Sequence, residues 1–291
     1  MTLEQLRIFV AVAEREHVTE AARALNLTQS AISNAIAALE ERHAVRLFDR
    51  VGRGIVLNAT GRSFLGEARG VLARAQAAEA ALADMGGLRR GRLAIFASQT
   101  IAGYWLPRRL AAFHLRYPGI ALDVAIGNTR EAAAAVLEGA AELGFVEGEI
   151  DAPGLERSVI GVDRLLLLLP PDHPLAGKAV LSVAELRALT WVLRERGSGT
   201  RSSLEAALRA AGVAAGDLQV AMTLPSNEAV LAAAEAGAGA TALSESVVVA
   251  ALAAGRLARA GFDLPERSFR LLRHEARYRS KAADAFVAEL G

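Results

Sequence analysis

Residues 21–36 read AARALNLTQSAISNAI and decide the fold of the first part of the chain. Small alanines let a first short helix pack closely, and Thr28 is a good N-cap for a second one, so the run predicts two helices with a tight break. The second helix carries amide and hydroxyl groups at its start, which suit base edges in the DNA major groove. The alternative is a solvated face in an ordinary helical bundle. The candidate DNA-reading residues are Thr28, Gln29, Ser30, Ser33 and Asn34.

The segments on either side support this interpretation. Residues 3–13 repeat apolar side chains at helical spacing, which predicts a helix behind the pair. Residues 45–57 read VRLFDRVGRGIVL and predict two short strands around a glycine-bearing turn. Such a wing would place Arg50 and Arg53 beside phosphates, whose geometry a guanidinium group matches. The alternative for Arg50 is a salt bridge to Asp49 or to the preceding helix.

A long helix is predicted next, over residues 59–85, because this segment contains no proline. Apolar and alanine side chains from Phe64 to Met85 recur at alternating four- and three-residue steps, which predicts a helix that pairs with another copy along this seam. The alternative is a helix packed on its own domain. Two glycines at 86–87 end it, and residues 89–92 predict a hinge.

From Arg92 onward, strands alternate with helices, which predicts a parallel sheet in an open α/β domain. Strands are expected at 92–97, 121–126 and 142–146, and a second α/β unit follows from residue 165. A strand at 269–273 and a helix at 282–290 are expected to return to the first unit. Two units joined by two crossovers predict a clam-shell with a cleft.

Polar residues follow several strands of both units, where open α/β sheets bind their ligands. Helix N-termini at these turns favour anions, and Arg194, Arg196 and Arg201 add positive charge. The alternative is that the serine, threonine and asparagine side chains only cap their helices. Glu147 would bind a donor on the ligand or pair with one of these arginines across the cleft. The candidate anion-site residues are Ser98, Gln99, Thr100, Asn128, Thr129, Glu147, Arg194, Ser198, Gly199, Thr200, Ser226 and Asn227.

The head resembles the winged helix-turn-helix of LysR-type transcriptional regulators. The resemblance rests on Phe9, Ala21-Ala22, residues 29–33, Leu39-Glu40, residues 47–50 and Gly61. It implies a DNA-binding domain, a dimerising linker helix and an effector domain of two subdomains similar to periplasmic binding proteins, assembled as homodimers and homotetramers. The expected boundaries are 1–58, 59–90 and 91–291, with subdomain I at 91–161 and 267–291 and subdomain II at 162–266.

Several positions depart from the family pattern, among them Ala31, where the family often has proline. His17 stands where the family usually has serine and is expected to weaken one helix-start contact, while Asn58 replaces threonine and can still cap the next helix. Ala44 replaces glycine. The cleft segments look like the branch of carbon-fixation and sulfite or sulfur-metabolism regulators, which implies a small oxyanion or a carboxylated or phosphorylated metabolite as effector.

Composition sets wide limits. The net charge is only +1, so any positive field must be local, around residues 42–53. The absence of cysteine excludes disulfides, thiolate metal sites and a cysteine nucleophile, and the five histidines show no ligand spacing. Neither a signal peptide nor a membrane span is expected, since the apolar run 165–169 is too short, so the chain is expected to be soluble and cytoplasmic.

Motifs of catalysis are missing from the sequence: we find no phosphate-binding loop, no dinucleotide fingerprint and no nucleophile elbow. We therefore predict an α/β regulator that is not an enzyme and needs no cofactor. Its expected partners are double-stranded operator DNA, a small anionic effector and further copies of itself, with RNA polymerase as a further candidate. The alternatives are an enzyme or solute-binding protein with an added DNA-binding head, and a constitutive DNA-binding protein with a vestigial cleft.

Overall fold

The fold was analysed in a computed structural model that describes residues 1–52, 54–85, 91–148 and 150–290. The chain forms two compact units. One holds Met1–Met85 together with Glu138–Ala140, and the other holds the rest of the chain. No described helix is long and apolar enough to cross a membrane.

The first unit is a helical head with a small β-hairpin. Its elements are α1 (Leu3–Arg15), α2 (Val18–Leu25), α3 (Gln29–His43), β1 (Phe48–Val51), β2 (Gly54–Leu57) and α4 (Ala59–Met85). The two strands pair antiparallel from Phe48 opposite Leu57 to Val51 opposite Gly54, which confirms the predicted wing. Ile32 and Leu39 of α3 are buried, so the apolar side of this helix faces the core of the unit.

Side-chain caps start the helices of the head as the sequence suggests. The Thr28 hydroxyl accepts the Ala31 amide at 3.2 Å, and Asn58 Oδ1 accepts the Gly61 amide at 2.8 Å. His17 keeps a helix-start contact, because its Nδ1 accepts the Glu20 amide at 3.4 Å. The helix-start contact is therefore retained at position 17, with a ring nitrogen of histidine as the acceptor.

The linker helix α4 is confirmed up to Met85, but its predicted seam divides into two parts. Phe64 and Ala68 pack into the core of the head. Val71, Leu82 and Met85 are 42%, 69% and 82% exposed. The first half of the seam thus follows the alternative of packing on its own domain, and the second half is left uncovered within this chain. Of the hinge expected at residues 89–92, residues 89 and 90 lie outside the described residues, as do the two glycines expected to end α4, and Gly91 and Arg92 belong to the first strand of the second unit.

The second unit consists of two α/β subdomains. The elements of subdomain I are β3 (Gly91–Ser98), a π-helical turn (Ile101–Trp105), α5 (Leu106–Arg116), β4 (Ile120–Gly127), α6 (Thr129–Glu138), β5 (Leu143–Glu147) and β6 (Leu155–Asp163). Those of subdomain II are β7 (Leu165–Leu169), α7 (Val183–Ala188), β8 (Thr190–Arg194), α8 (Gly199–Ala210), β9 (Gln219–Leu224), α9 (Asn227–Glu235), β10 (Thr241–Ser244), α10 (Glu245–Ala253) and β11 (Ala258–Arg259). The chain then returns to subdomain I through β12 (Arg267–His274) and α11 (Lys281–Ala288).

The predicted purely parallel sheet is wrong for part of both subdomains. In subdomain I the strand order is β4-β3-β5-β12-β6, with β3 parallel to both neighbours and β12 antiparallel to β5 and β6. In subdomain II β8 and β9 are parallel, whereas β7 pairs antiparallel with β10 and β11. The physical reason in subdomain I is that β6 leads out of it and β12 leads back, so neither belongs to a right-handed strand–helix–strand repeat.

Each subdomain has its own apolar core. In subdomain I, Phe113, Phe145 and Phe286 are fully buried between the sheet and its helices. In subdomain II, Trp191 is fully buried among leucines of β7, β8 and α8. These two cores support the strand ends that carry the predicted polar residues.

Candidate DNA-binding face and effector cleft

The start of α3 presents its polar side chains to solvent. Gln29, Ser30, Ser33 and Asn34 are all exposed, as is Thr28 just before them. The Gln29 amide donates to the Thr19 hydroxyl of α2, and the hydroxyls of Thr28 and Ser30 lie 3.0 Å apart. A short, exposed row of amide and hydroxyl groups on a helix backed by core side chains can meet base edges in a groove.

The wing, which follows α3 in the chain, carries a basic side chain. Arg50 is exposed on β1, opposite Ile55 of β2. Arg53, the second predicted phosphate contact, lies outside the described residues. Arg46 just before the wing is exposed over 82% of its side chain, while its ion-pair partner Glu40 is buried. The head therefore offers guanidinium groups to solvent, as phosphate binding needs.

In the second unit, Glu147 at the end of β5 is the centre of a buried polar network. The Ser98 hydroxyl at the end of β3 donates to Glu147 Oε2, and the Thr200 hydroxyl of α8 donates to Glu147 Oε1 at 3.4 Å. Arg267 of β12 lies 3.8 Å from the same carboxylate, 2.6 Å from Asp163 and donates to Thr200 Oγ1 at 3.1 Å. This network joins both subdomains at the strands that connect them.

A second set of hydrogen bonds crosses the cleft at the start of α9. Gln99 Oε1 accepts the Asn227 amide at 2.9 Å, and Gln99 Nε2 donates to the Pro225 carbonyl at 2.6 Å. The Asn227 side chain donates to Thr100 Oγ1 at 3.1 Å and accepts from the Arg194 guanidinium. Residues of subdomain I thus occupy the N-terminal groups of a helix in subdomain II.

Tyr104 in the π-helical turn contacts the same end of α9. Its hydroxyl is hydrogen-bonded to Glu228, and burial together with this carboxylate raises the pKa of Tyr104. Both causes favour the neutral phenol, which can donate to the carboxylate. π-Helical turns inside helices are often found at functional sites.

Glycines let the start of α8 approach subdomain I closely. A Cβ atom on Gly199 would lie 2.3 Å from the Glu147 carbonyl oxygen and 2.7 Å from Thr129 Oγ1. Gly197 has a φ of +100° and lies against Asn128. The Gly197 carbonyl accepts the Arg130 amide across the cleft at 3.3 Å. Side chains at these two positions would hold the subdomains apart.

Three of the predicted residues cap helices in the structure. Ser198 and Ser226 accept the amides of Arg201 and Ala229, and Asn128 Oδ1 accepts the Glu131 amide. Thr100 makes no cap and bonds across the cleft instead. The structure therefore brings the predicted effector residues together around one cleft, some as caps and some as cross-cleft partners.

The predicted positive charge of the cleft is largely compensated. Arg194 pairs with Glu195 at 2.8 Å, and Arg201 pairs with Glu205 at 2.7 Å, while Arg196 is exposed. Glu147 does pair with an arginine, but the partner is Arg267 on a neighbouring strand of its own sheet.

Two functional candidates were missing from the sequence prediction, Arg267 and Asp163. Their side chains are only 4% and 6% exposed, and they lie at the two connections between the subdomains. The signal that could have identified them is a pair of opposite charges beside the two expected crossovers. In the described part of the chain no three His, Asp or Glu side chains are grouped to hold a metal ion.

Two family models match the chain. Residues 3–62 match the bacterial regulatory helix-turn-helix protein, lysR family, and residues 86–291 match the LysR substrate binding domain. The second match alone covers more than half of the chain, and the predicted family is confirmed.

Curated relatives of similar length extend this finding. The uncharacterized HTH-type transcriptional regulator YeiE of Escherichia coli K12 is 34% identical over 99% of this chain and 96% of that protein. The RuBisCO operon transcriptional regulator of Allochromatium vinosum is 31% identical, with 98% and 94% covered. The regulator CysL of Bacillus subtilis is 34% identical, with 85% and 82% covered. These relatives confirm the branch that the cleft segments suggest.

Solved structures share the fold of this chain or of its second unit. Full-length CbnR, crystallised with its target DNA, gives a TM-score of 0.68 at 26% identity and covers 100% of this chain and 99% of that one. The regulatory domain of Synechocystis PCC6803 CcmR in complex with 2-PG gives a TM-score of 0.63 at 26% identity, with 69% and 96% covered. One of these proteins was captured with DNA and the other with a small molecule.

Proposed function

The chain belongs to the LysR family of bacterial transcriptional regulators, and from this membership we propose that its operator binding is modulated by a small anionic effector in the cleft between its two α/β subdomains. The family members are DNA-binding regulators with an effector domain. The finer claim concerns the charge of the effector and its place between the subdomains.

The observation that carries this proposal is the set of hydrogen bonds across the cleft at the start of α9. The Asn227 amide belongs to the N-terminal turn of a helix, where backbone N–H groups and the helix dipole favour an anion. In this structure a neutral amide oxygen, Gln99 Oε1, accepts that N–H group. A carboxylate or phosphate oxygen would make a stronger, charge-assisted hydrogen bond at the same place.

The compensated arginines favour a small effector with one or two acidic groups. Arg194 is already paired with Glu195, so most of the attraction must come from helix starts, hydroxyls and the exposed Arg196. The similarity to CcmR, whose regulatory domain was solved with 2-PG, and to RuBisCO operon regulators supports a carboxylated or phosphorylated metabolite or a small oxyanion.

For the head we propose the roles expected from the sequence. Gln29, Ser33 and Asn34, with Thr28 and Ser30, would read bases, and Arg50 and Arg53 would bind phosphates. The boundaries proposed for the three parts remain 1–58, 59–90 and 91–291. The head unit of the structure and the two family models are compatible with them.

A homodimer through the second half of α4, and from it a homotetramer, is also proposed. The exposed Val71, Leu82 and Met85 support it, because a helix normally covers such a row of apolar side chains. The test is sedimentation of the full chain with Val71→Glu and Leu82→Glu, which should halve the assembly since buried charges oppose pairing. If the oligomeric state does not change, the second half of α4 does not form the dimer interface.

The effector claim is tested with a duplex selected by the full chain from a randomised pool. Its affinity is measured by fluorescence anisotropy with and without 2-phosphoglycolate, phosphate and sulfite. We expect at least one anion to change the affinity by about 5- to 150-fold, the usual range of allosteric coupling. An effector can act only through its different affinities for two conformations.

Two variants locate that response. Thr100→Val keeps the side-chain shape and deletes the hydroxyl, and Ser198→Ala deletes the cap of α8; both should lose the response and keep effector-free DNA binding. Thr190→Val, an exposed threonine of the same unit, is the matched control. An unchanged response in both cleft variants would show that the effector does not bind at this site. Selective DNA binding with no response to any anion would favour a constitutive regulator with a vestigial cleft.

A further inference from the structure

Two carboxylates hold the base of the wing. Glu40 of α3 is buried, and its Oε1 accepts the Leu47 amide at 2.7 Å and the Phe48 amide at 3.4 Å. Glu16, which follows α1, accepts the Leu57 amide with Oε1 at 2.7 Å. Phe48 and Leu57 face each other in the hairpin. The two carboxylates therefore accept hydrogen bonds from the backbone of the first and the last residue of the wing.

The wing needs such anchors. Each of its strands has four residues, and an isolated two-stranded hairpin of this size is marginally stable in water. Backbone amides held by a charged acceptor make stronger bonds than those held by a neutral one. Because Glu40 is part of α3, its contact fixes the direction of β1 relative to the helix that is expected to read bases.

Electrostatic attraction to DNA does not explain why Glu40 and Glu16 lie beside the wing. A negative charge in a DNA-binding unit opposes attraction to the phosphates. Their removal should therefore tighten DNA binding if the carboxylates had no other role. In a variant that stays folded, a loss of affinity after removal therefore indicates a change in the position of groups that touch DNA.

From these contacts we infer that Glu40 and Glu16 are positioning residues for operator binding, which hold the wing and its Arg50 at the angle at which α3 and the wing engage one duplex together. The inference rests on the proposed DNA-binding roles of the head. It is separable from them, because it concerns residues that do not touch DNA.

The sharpest test compares Glu16→Asn with Glu16→Gln in the full chain. Both substitutions remove the same charge, but only glutamine is long enough to keep an acceptor near the Leu57 amide. Residue 16 has a φ of +46°, a conformation that asparagine tolerates well, so Glu16→Asn should fold. We expect Glu16→Gln to bind the selected duplex like the wild type and Glu16→Asn to bind about tenfold more weakly, since small misplacements of a binding group are costly.

A second pair repeats the test on α3. Glu40→Ala removes the buried acceptor, and Glu41→Ala removes an exposed charge from the next position. Glu41→Ala should bind the duplex as tightly as the wild type or more tightly, whereas Glu40→Ala should bind more weakly at temperatures where it is folded. If Glu40→Ala fails to fold, the Glu16 pair decides by itself.

Combination with Arg50→Ala distinguishes positioning from general stability. Arg50→Ala should weaken binding and flatten the dependence of affinity on salt, because one phosphate contact is lost. In the Arg50→Ala background, Glu16→Asn should then cost little more. Equal binding by the two Glu16 variants, full additivity with Arg50→Ala, or no effect of Arg50→Ala would each overturn the inference. Failure of the wild type to select any duplex would instead refute the proposed base reading.

Discussion

The start of α3 and the cleft of the second unit use the same kinds of side chain in opposite ways. Gln29 and Asn34 are exposed at the start of α3, and Gln29 also donates to Thr19 of α2. Thr100, Ser198 and Asn227 in the cleft are 1%, 1% and 0% exposed, and their side chains are hydrogen-bonded to one another, to Arg194 or to nearby backbone.

This difference separates two ways of binding. An exposed amide exchanges water for a base edge, so its substitution should change recognition and leave the fold alone. A buried amide must exchange a protein partner for a ligand, so ligand binding and the arrangement of the subdomains are linked. Under the proposed function, the head would bind DNA without breaking buried contacts, while an effector in the cleft would have to replace existing hydrogen bonds.

The largest effect is expected where the cleft network is buried. Arg267→Met keeps the volume but leaves Asp163 and Glu147 without their cation, so we expect the free energy of unfolding to fall by about 3–5 kcal/mol. The head provides the matched control in Arg46, whose side chain is 82% exposed beside Glu40. Arg46→Met should change stability by no more than about 1 kcal/mol. Urea titrations followed by circular dichroism measure both, and equal losses would contradict the contrast.

The next effect concerns recognition without stability. Gln29→Ala should weaken binding to the selected duplex by about 1–3 kcal/mol and change binding to a scrambled duplex little. The melting temperature should fall only slightly, because Gln29 is exposed and its substitution removes one surface hydrogen bond, to Thr19. An equal loss on both duplexes would mean that Gln29 does not read bases.

Local sequence signals were sufficient for the head and for the order of the cleft turns. Helix caps such as Thr28 and the glycine-bearing wing act within a few residues, so spacing alone predicts them. β6 was not predicted as a strand because four consecutive residues, 156–159, are exposed and the segment lacks a regular apolar alternation. The short β11 and the helix α10 were also missed.

Contacts between residues far apart in the sequence could not be predicted. The antiparallel place of β12 and the Arg267–Glu147 pair join residues more than a hundred positions apart, and no local pattern encodes them. The division of the α4 seam was unpredictable for the same reason, because Phe64 finds its partners in α1 and the wing. The sequence predicted which strand ends carry the polar residues of the cleft. It did not predict which of these residues are hydrogen-bonded to one another.

A smaller effect is expected from a methyl group in the cleft. Gly199→Ala would place a Cβ atom 2.3 Å from the Glu147 carbonyl oxygen, so either the α8 start or β5 must move. Overpacking of this kind usually costs about 1–3 kcal/mol. The subdomains should also close less well, so the response of DNA binding to an effector should weaken. Normal stability together with a normal response would show that the cleft is looser than its contacts suggest.

The smallest effect has the opposite sign and lies in the head. Gly66 is an exposed residue inside α4, and a Cβ atom there would meet nothing within 4 Å. Gly66→Ala should therefore stabilise the chain by about 0.5–1 kcal/mol, because glycine in a helix interior costs backbone entropy and alanine does not. The same substitution is thus expected to be unfavourable at position 199 and favourable at position 66. Urea titration of both variants checks the pair. A loss of stability in Gly66→Ala would mean that this side of α4 is covered in the assembled protein, which would extend the proposed dimer contact toward the start of the helix.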